Sequence, residues 1–262
     1  MKFRKPPVIE VWISIEFQPN DNKRGFDPEL VQAFAVQYKE DFPNRDVEHE
    51  VQIQTEEQAS NRLPKVVNRD VKLKHVRLWN EARSRAFQIN DDQISYHMLK
   101  NSLEIPGYQK VRTATEPKLL DYINKFRPVK ITNAVLHYLD VIEIPVPEND
   151  KIDLRDYFLY SMEIPEDPFG PMFNFSQSFE VVCPIDDGPL FVRLQSLPSS
   201  GTGIFRFQME WHKLSRGIDT LDPSAVWKRL NTAHDYMWDC FINSFSEKTL
   251  KLFEPIQESS EA

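Results

Sequence analysis

Glycine is scarce in this chain, with 7 residues in 262, against a usual share of about 7%. Loops that cradle phosphate need glycine where the backbone must approach closely, and neither a P-loop nor a dinucleotide fingerprint occurs. Cysteine is scarcer. Cys183 and Cys240 are too few for a disulfide framework and lack neighbours at metal-ligand spacing, which fits packing roles in a reducing compartment. No apolar run approaches the roughly 20 residues needed to span a bilayer, and no signal-type apolar stretch follows Met1-Lys2-Phe3-Arg4-Lys5-Pro6-Pro7. These absences predict a cytoplasmic protein with no membrane partner. An excess of positive charge is also missing: the formal charge of -8 sets a polyanion against net repulsion. Nucleic acid is disfavoured rather than excluded, since Lys72, Lys74, Arg77, Arg83 and Arg85 form either a local basic patch or an ordinary solvated sheet surface. No catalytic motif of any specificity is present.

What is present is one order of elements read twice. With 40% hydrophobic and 12% aromatic residues the chain has ample material for a core. Ile9, Val11, Ile13, Ile15 and Phe17 alternate with polar residues and Trp12, a period of two that predicts a half-buried strand ending at Pro19. Asp27-Pro28-Glu29 predicts a capped helix start, with an apolar stripe to Tyr38 and a stop at Phe42-Pro43. A strand near Val47 to Gln54, a polar connection from Glu56 to Asn68, and strands near 72–79, 84–89 and 93–98 follow as a meander. A helix from about Glu116 to Phe126 closes the first half at Pro128.

The second pass opens on Ala134, Leu136, Tyr138, Ile142 and Ile144 and ends at Pro145 and Pro147. A shorter helix at 154–160, strands at 173–182, 190–197 and 204–212, and a hairpin turn at Ser200-Gly201-Thr202-Gly203 are expected. Asp222-Pro223 caps a long last helix whose apolar positions run to Phe245, and the acidic tail from Glu254 lacks periodicity. The reading is therefore α+β: a duplicated strand-helix-strands-helix unit, 1–128 and 129–253 with a tail at 254–262, forming a large, mainly antiparallel sheet with helices on one face. This topology resembles that of TATA-binding and helix-grip proteins, a likeness that implies fold alone.

Few residues offer chemistry. Register places Asp140 on the otherwise apolar strand face, where a lone carboxylate is costly. It is either an acid or ligand contact in a pocket between the lobes, or a carboxylate satisfied by a backbone amide or an arginine. His234 falls on the apolar stripe of the last helix, either as a core histidine donating one ring N–H or as a catalytic partner for Asp140. His49, His75, His97, His137 and His212 sit singly on predicted strands without zinc spacing, so no metal and no cofactor is expected. Arg77 and Trp79, with Arg83 in the turn and Arg85 beyond it, mix an indole with positive charge, as binding surfaces do and as ordinary cross-strand pairs do. Phe169, Phe173, Phe175 and Phe179 predict one ring-bearing strand side, buried or a partner patch. Asp186-Asp187-Gly188 is a turn without the other ligands of a calcium loop.

Four segments carry a resemblance to a known family: Pro7-Val8-Ile9-Glu10-Val11, the block from Trp79 to Met98, Tyr138-Leu139-Asp140-Val141-Ile142-Glu143-Ile144-Pro145, and Ala233-His234 with Phe241, Phe245, Leu250 and Phe253. On these the chain resembles a sporadically distributed family of uncharacterised bacterial proteins of about this length, whose pattern has asparagine more often where Asp140 stands. The resemblance implies spread with mobile elements, antiviral defence or toxin-antitoxin loci. The leading expectation is a non-enzymatic binding module that holds a protein partner or a small-molecule ligand in the cleft or on the open sheet face. The rival is a hydrolase or nuclease using Asp140 and His234, and a third reading is a nucleic-acid saddle. Oligomeric state stays open.

Overall fold

Residues that alternate with a period of two need a sheet to share one buried face, and the chain supplies it. The computed structural model describes residues 2–20, 27–56, 65–146, 152–160, 175–184, 186, 188–198 and 203–256, with backbone alone for 50–56 and 65–73. Its elements are β1 (Lys2–Phe3), β2 (Val8–Gln18), α1 (Pro28–Val36), β3 (Asn44–Glu56), β4 (Lys65–Trp79), β5 (Arg85–Ile89) and β6 (Gln93–Leu99). Then come α2 (Tyr108–Phe126), β7 (Lys130–Pro145), β8 (Ser176–Val182), β9 (Pro189–Leu197) and β10 (Ile204–Thr220). The chain continues through α3 (Pro223–Ile242), α4 (Glu247–Leu252) and β11 (Pro255–Ile256).

Among the described residues nine strands form one antiparallel sheet in the order β3-β4-β5-β6-β2-β7-β10-β9-β8. In each half the leading strand, β2 or β7, lies beside the last strand of its own meander, β6 or β10, and the meander steps outward from there. The two leading strands pair with each other, so the duplicated order reappears as a sheet joined at β2–β7. Val11, Ile13 and Ile15 stand opposite Tyr138, Leu136 and Ala134 on the helix-covered face. Helix α2 lies on β6 and β2, α3 on β10 and β7, and α1 on β4, over one continuous apolar core.

Local signals account for most helix ends. Asp27 accepts from the Leu30 N–H at 3.0 Å with Pro28 in the first turn, and Asp222 caps Ser224 at 2.9 Å ahead of α3. Helix α2 departs from expectation. It starts at Tyr108, eight residues before Glu116, and carries Pro117 in its interior. Proline there removes one helical hydrogen bond, but Tyr108, Val111 and Thr115 before it and Leu119, Tyr122 and Phe126 after it are all buried. Packing of that stripe holds the helix through the break.

Other expectations shift as well. The region 154–160 keeps a single 3-10 turn, Leu154–Asp156. The long last helix stops at Ile242, and Ser246 caps the separate α4. The tail expected to fray from Glu254 instead begins with β11, which pairs with β1, and Phe3 packs edge-on to Phe253 at 5.5 Å. Phe169, Phe173 and the 200–202 part of the hairpin turn lie outside the described residues. Phe175 and Phe179 face the core, against Phe207 and Tyr160, rather than forming an exposed patch.

One buried polar group was not foreseen. Lys213 is 1% exposed on the helix side of β10, and its ammonium finds three acceptors: the Asp186 carboxylate, Gly188 O at 2.9 Å and Leu214 O at 2.8 Å. Three N–H groups meet three oxygens, so the charge is fully partnered. Gly188 permits the approach, because a Cβ there would lie 1.7 Å from Leu214 O. Lys213→Met is expected to destabilise the fold by about 3–5 kcal/mol by stranding Asp186. The double variant with Asp186→Leu should recover part of that loss, as urea denaturation would measure.

Candidate functional site

Strand β7 sets the site. Its alternation turns Tyr138 and Asp140 to the helix side, and β10 brings Trp211 and Met209 opposite them. A register shift in β2 between Val8 and Glu10 lets Pro7 and Val8 cross beside Asp140, with Val141 N–H donating to Pro7 O at 2.9 Å. From the other side α3 contributes His234, Met237, Trp238 and Phe241, and the start of α2 contributes Gly107 and Tyr108. These surfaces enclose a cavity of about 220 Å³ between the two halves, with Phe3 in its wall.

Both candidate acid–base residues line this cavity. Asp140 is 3% exposed, and burial raises its pKa from 3.8 to about 7. The Trp211 indole N–H is near enough to favour the carboxylate but is not aligned as a hydrogen bond to any acceptor. Neither an arginine nor a backbone amide satisfies Asp140 among the described residues. His234 makes a 2.7 Å hydrogen bond to the Tyr138 hydroxyl through Nδ1 and stacks on Tyr108 with centroids 4.5 Å apart. Burial lowers its pKa, so the ring is neutral and tied to a tyrosine, not to Asp140.

Tyr108 links the two long helices. Its hydroxyl donates to Asn231 Oδ1 at 2.7 Å, and Arg112 donates to the same oxygen at 3.1 Å. Tyr108, Tyr138 and Trp211 were not singled out as site residues from sequence. Tyr138 carries a usable signal, standing two positions before Asp140 on the same strand face. Trp211 carries none until β10 is paired with β7.

The remaining candidates do not converge. Arg77 and Trp79 share the open sheet face, where Arg77 donates twice to Gln88 Oε1 (3.1 and 2.7 Å) and the Trp79 indole donates to Asp46 at 2.7 Å. Arg83 is in the β4–β5 turn at φ 50°. Arg85 shares the helix-side register of Phe87 and Ile89. Ordinary cross-strand pairing thus describes Arg77 and Trp79, and the four are not one patch. No group of three or more His, Cys, Asp or Glu is placed to hold a metal ion among the described residues.

Three of the five histidines expected singly on strands are brought into line by strand pairing. His97, Trp12, His137, His212 and Phe191 stand opposite one another in turn across the open face. His97 bonds Glu10 at 2.9 Å, whereas both His137 nitrogens are buried without a partner. Burial, followed by His212 and His97, pushes the His137 pKa down to about 2.

These two perturbed groups have opposite pH signatures. His137 binds its proton in the unfolded chain below pH 6.5 but not in the native state, so its contribution to stability is complete above 6.5 and falls with acid. Asp140 holds a proton in the native state that the unfolded chain releases above 3.8, so its contribution is complete below that value and lost as pH rises to about 7. Its ionised form carries a penalty of at most about 4 kcal/mol. Melting curves are expected to show a smaller loss of stability from pH 5 to pH 8 in Asp140→Asn than in the parent. They should also show a shallower loss from pH 6.5 to pH 4.5 in His137→Phe.

No protein-family model and no curated protein matches this chain.

Proposed function

We propose that this protein is a non-enzymatic binding protein that holds a small, largely apolar ligand in the cavity between its halves. One observation carries the reading: a preformed apolar cavity has in its wall an almost fully buried carboxyl group without a hydrogen-bond partner among the described residues. Ligand sites are concave and mostly apolar, with few polar groups that fix orientation. A folded chain that keeps such a carboxyl without a partner gives up stability, which a bound ligand would restore. The reading includes a bacterial cytoplasmic setting, and the mobile-element, defence or toxin-antitoxin context that the family resemblance implies. The two cysteines are unpaired, and among the described residues no helix is long and apolar enough to cross a membrane.

A second reading, a hydrolase or nuclease using Asp140 and His234, draws on their sharing one cavity. Against it, no serine, threonine, cysteine or lysine is among the described residues lining that cavity, and His234 is hydrogen-bonded to Tyr138 rather than to Asp140.

Gly107 provides the test. It lies on the cavity wall, its φ of -166° suits any residue, and a Cβ there would touch nothing within 4 Å. Native mass spectrometry of the purified full chain is expected to show a co-purified small molecule that Gly107→Leu loses while still folding. A molecule retained in full by Gly107→Leu would overturn the cavity as its site.

A further inference from the structure

Among its described lining residues the cavity holds one carboxylic acid and no lysine or arginine to match it. No lysine or arginine contributes to the pKa of Asp140. The titratable groups around it are Tyr138 on its own strand, His234 and Tyr108 on the facing helices, and Tyr160 beside it. Burial raises the pKa of all three tyrosines and lowers that of His234, so the four are neutral at pH 7. Among the described lining residues the one charge the cavity can present to a ligand is therefore that of Asp140, while Asp235 acts on Tyr138, Tyr108 and His234 and Arg112 on Tyr108 from outside the lining.

Hydrogen bonding points the same way. The Tyr138 hydroxyl shares a 2.7 Å hydrogen bond with His234 Nδ1, and in either tautomer of that ring the hydroxyl oxygen keeps at least one free lone pair. Its oxygen is left as an acceptor two residues from the Asp140 carboxyl. The surrounding walls are aromatic. Phe3, Trp238 and Phe241 form a contiguous ring cluster with centroids 5.7–6.5 Å apart, and Trp211 and Tyr108 complete the enclosure. Ring faces carry negative quadrupole density and attract cations within about 6 Å.

Acceptors beside π faces, with no positive side chain among the described lining residues, form the complement of a protonated amine. We infer that the ligand of this cavity is a small organic cation, an ammonium carrying an aryl or short alkyl group, with its nitrogen against the Asp140 carboxylate. The inference rests on the cavity reading above and names its ligand class. A cavity of about 150 Å³ holds benzene, so about 220 Å³ leaves room for a ring and a short alkyl arm. The ammonium supplies the positive partner that the fold omits, and the Trp211 N–H favours the same ionised carboxylate. Below pH 7 binding proceeds as an exchange: the Asp140 carboxylic acid loses its proton to solvent as the ammonium takes its place.

Isothermal titration of the full chain tests this with phenethylammonium, neutral phenethyl alcohol and phenylacetate, at pH 6 and pH 8, on the parent, Asp140→Asn and Gly107→Leu. The ammonium is expected to bind the parent at least about tenfold more tightly than the alcohol at pH 8. It should weaken about tenfold at pH 6 with proton release, and lose at least about tenfold in Asp140→Asn. Because that variant can be perturbed in folding, the pH dependence and proton release of the parent stand as an independent readout. If the alcohol or phenylacetate binds as tightly as the ammonium, or Asp140→Asn binds the ammonium unchanged, the cationic ligand is overturned and the cavity remains a binding site. If none of the three binds the parent, the inference falls. The cavity reading falls with it when Gly107→Leu also retains the co-purified molecule.

Discussion

The pairing of β2 with β7 is the constraint on which the rest of the molecule depends. It joins two meanders, each complete on one side only, into a sheet whose apolar residues share one face. Because side chains alternate, a slip of one residue would exchange the faces. Asp140 would turn to the open side, and His137 would enter the core. The register Ile13–Leu136 and Ile15–Ala134 therefore decides which groups are covered by helices, and the cavity follows from it.

Among the described residues two charged side chains are buried on the strands of that covered face, and the fold treats them differently. Lys213 is surrounded by three oxygens, one of them on Asp186, and is complete within the protein. Asp140 has an indole N–H nearby and, among the described residues, no other group of opposite polarity. A buried pair with full hydrogen bonding is a structural device, whereas a buried carboxyl without a partner adjoining an open cavity calls for something outside the chain. The neutral Tyr138–His234 pair next to it adds hydrogen-bonding direction without adding charge.

Much of the scaffold was legible because its causes are local. The alternation of Val11, Ile13 and Ile15, the caps at Asp27 and Asp222, and the turns between β4, β5 and β6 depend on residues a few positions apart. Asp140 was legible as an anomaly for the same reason. What failed to show depends on partners far along the chain. Pro117 reads as a helix start until the burial of Tyr108 and Val111 is known. Lys213 reads as a solvated strand residue until Asp186 arrives from another hairpin. Arg77, Trp79, Arg83 and Arg85 are neighbours in sequence, but the turn and the pleat send Arg83 and Arg85 away from the face that Arg77 and Trp79 share. The contact of β1 with β11 joins opposite ends of the described chain, and no local pattern encodes it.

The sequence by itself determined the α+β class, the repeated order and the faces of the main strands, since these follow from side-chain period and capping chemistry. Only the tertiary structure decided that Asp140 and His234 share a cavity without touching each other, that aromatic rings from five separate segments line it, and that histidines 40 and 75 residues apart form one row with Trp12. Those outcomes come from pairing strands and laying helices across them, a step in which long-range packing chooses the neighbours and local propensity does not.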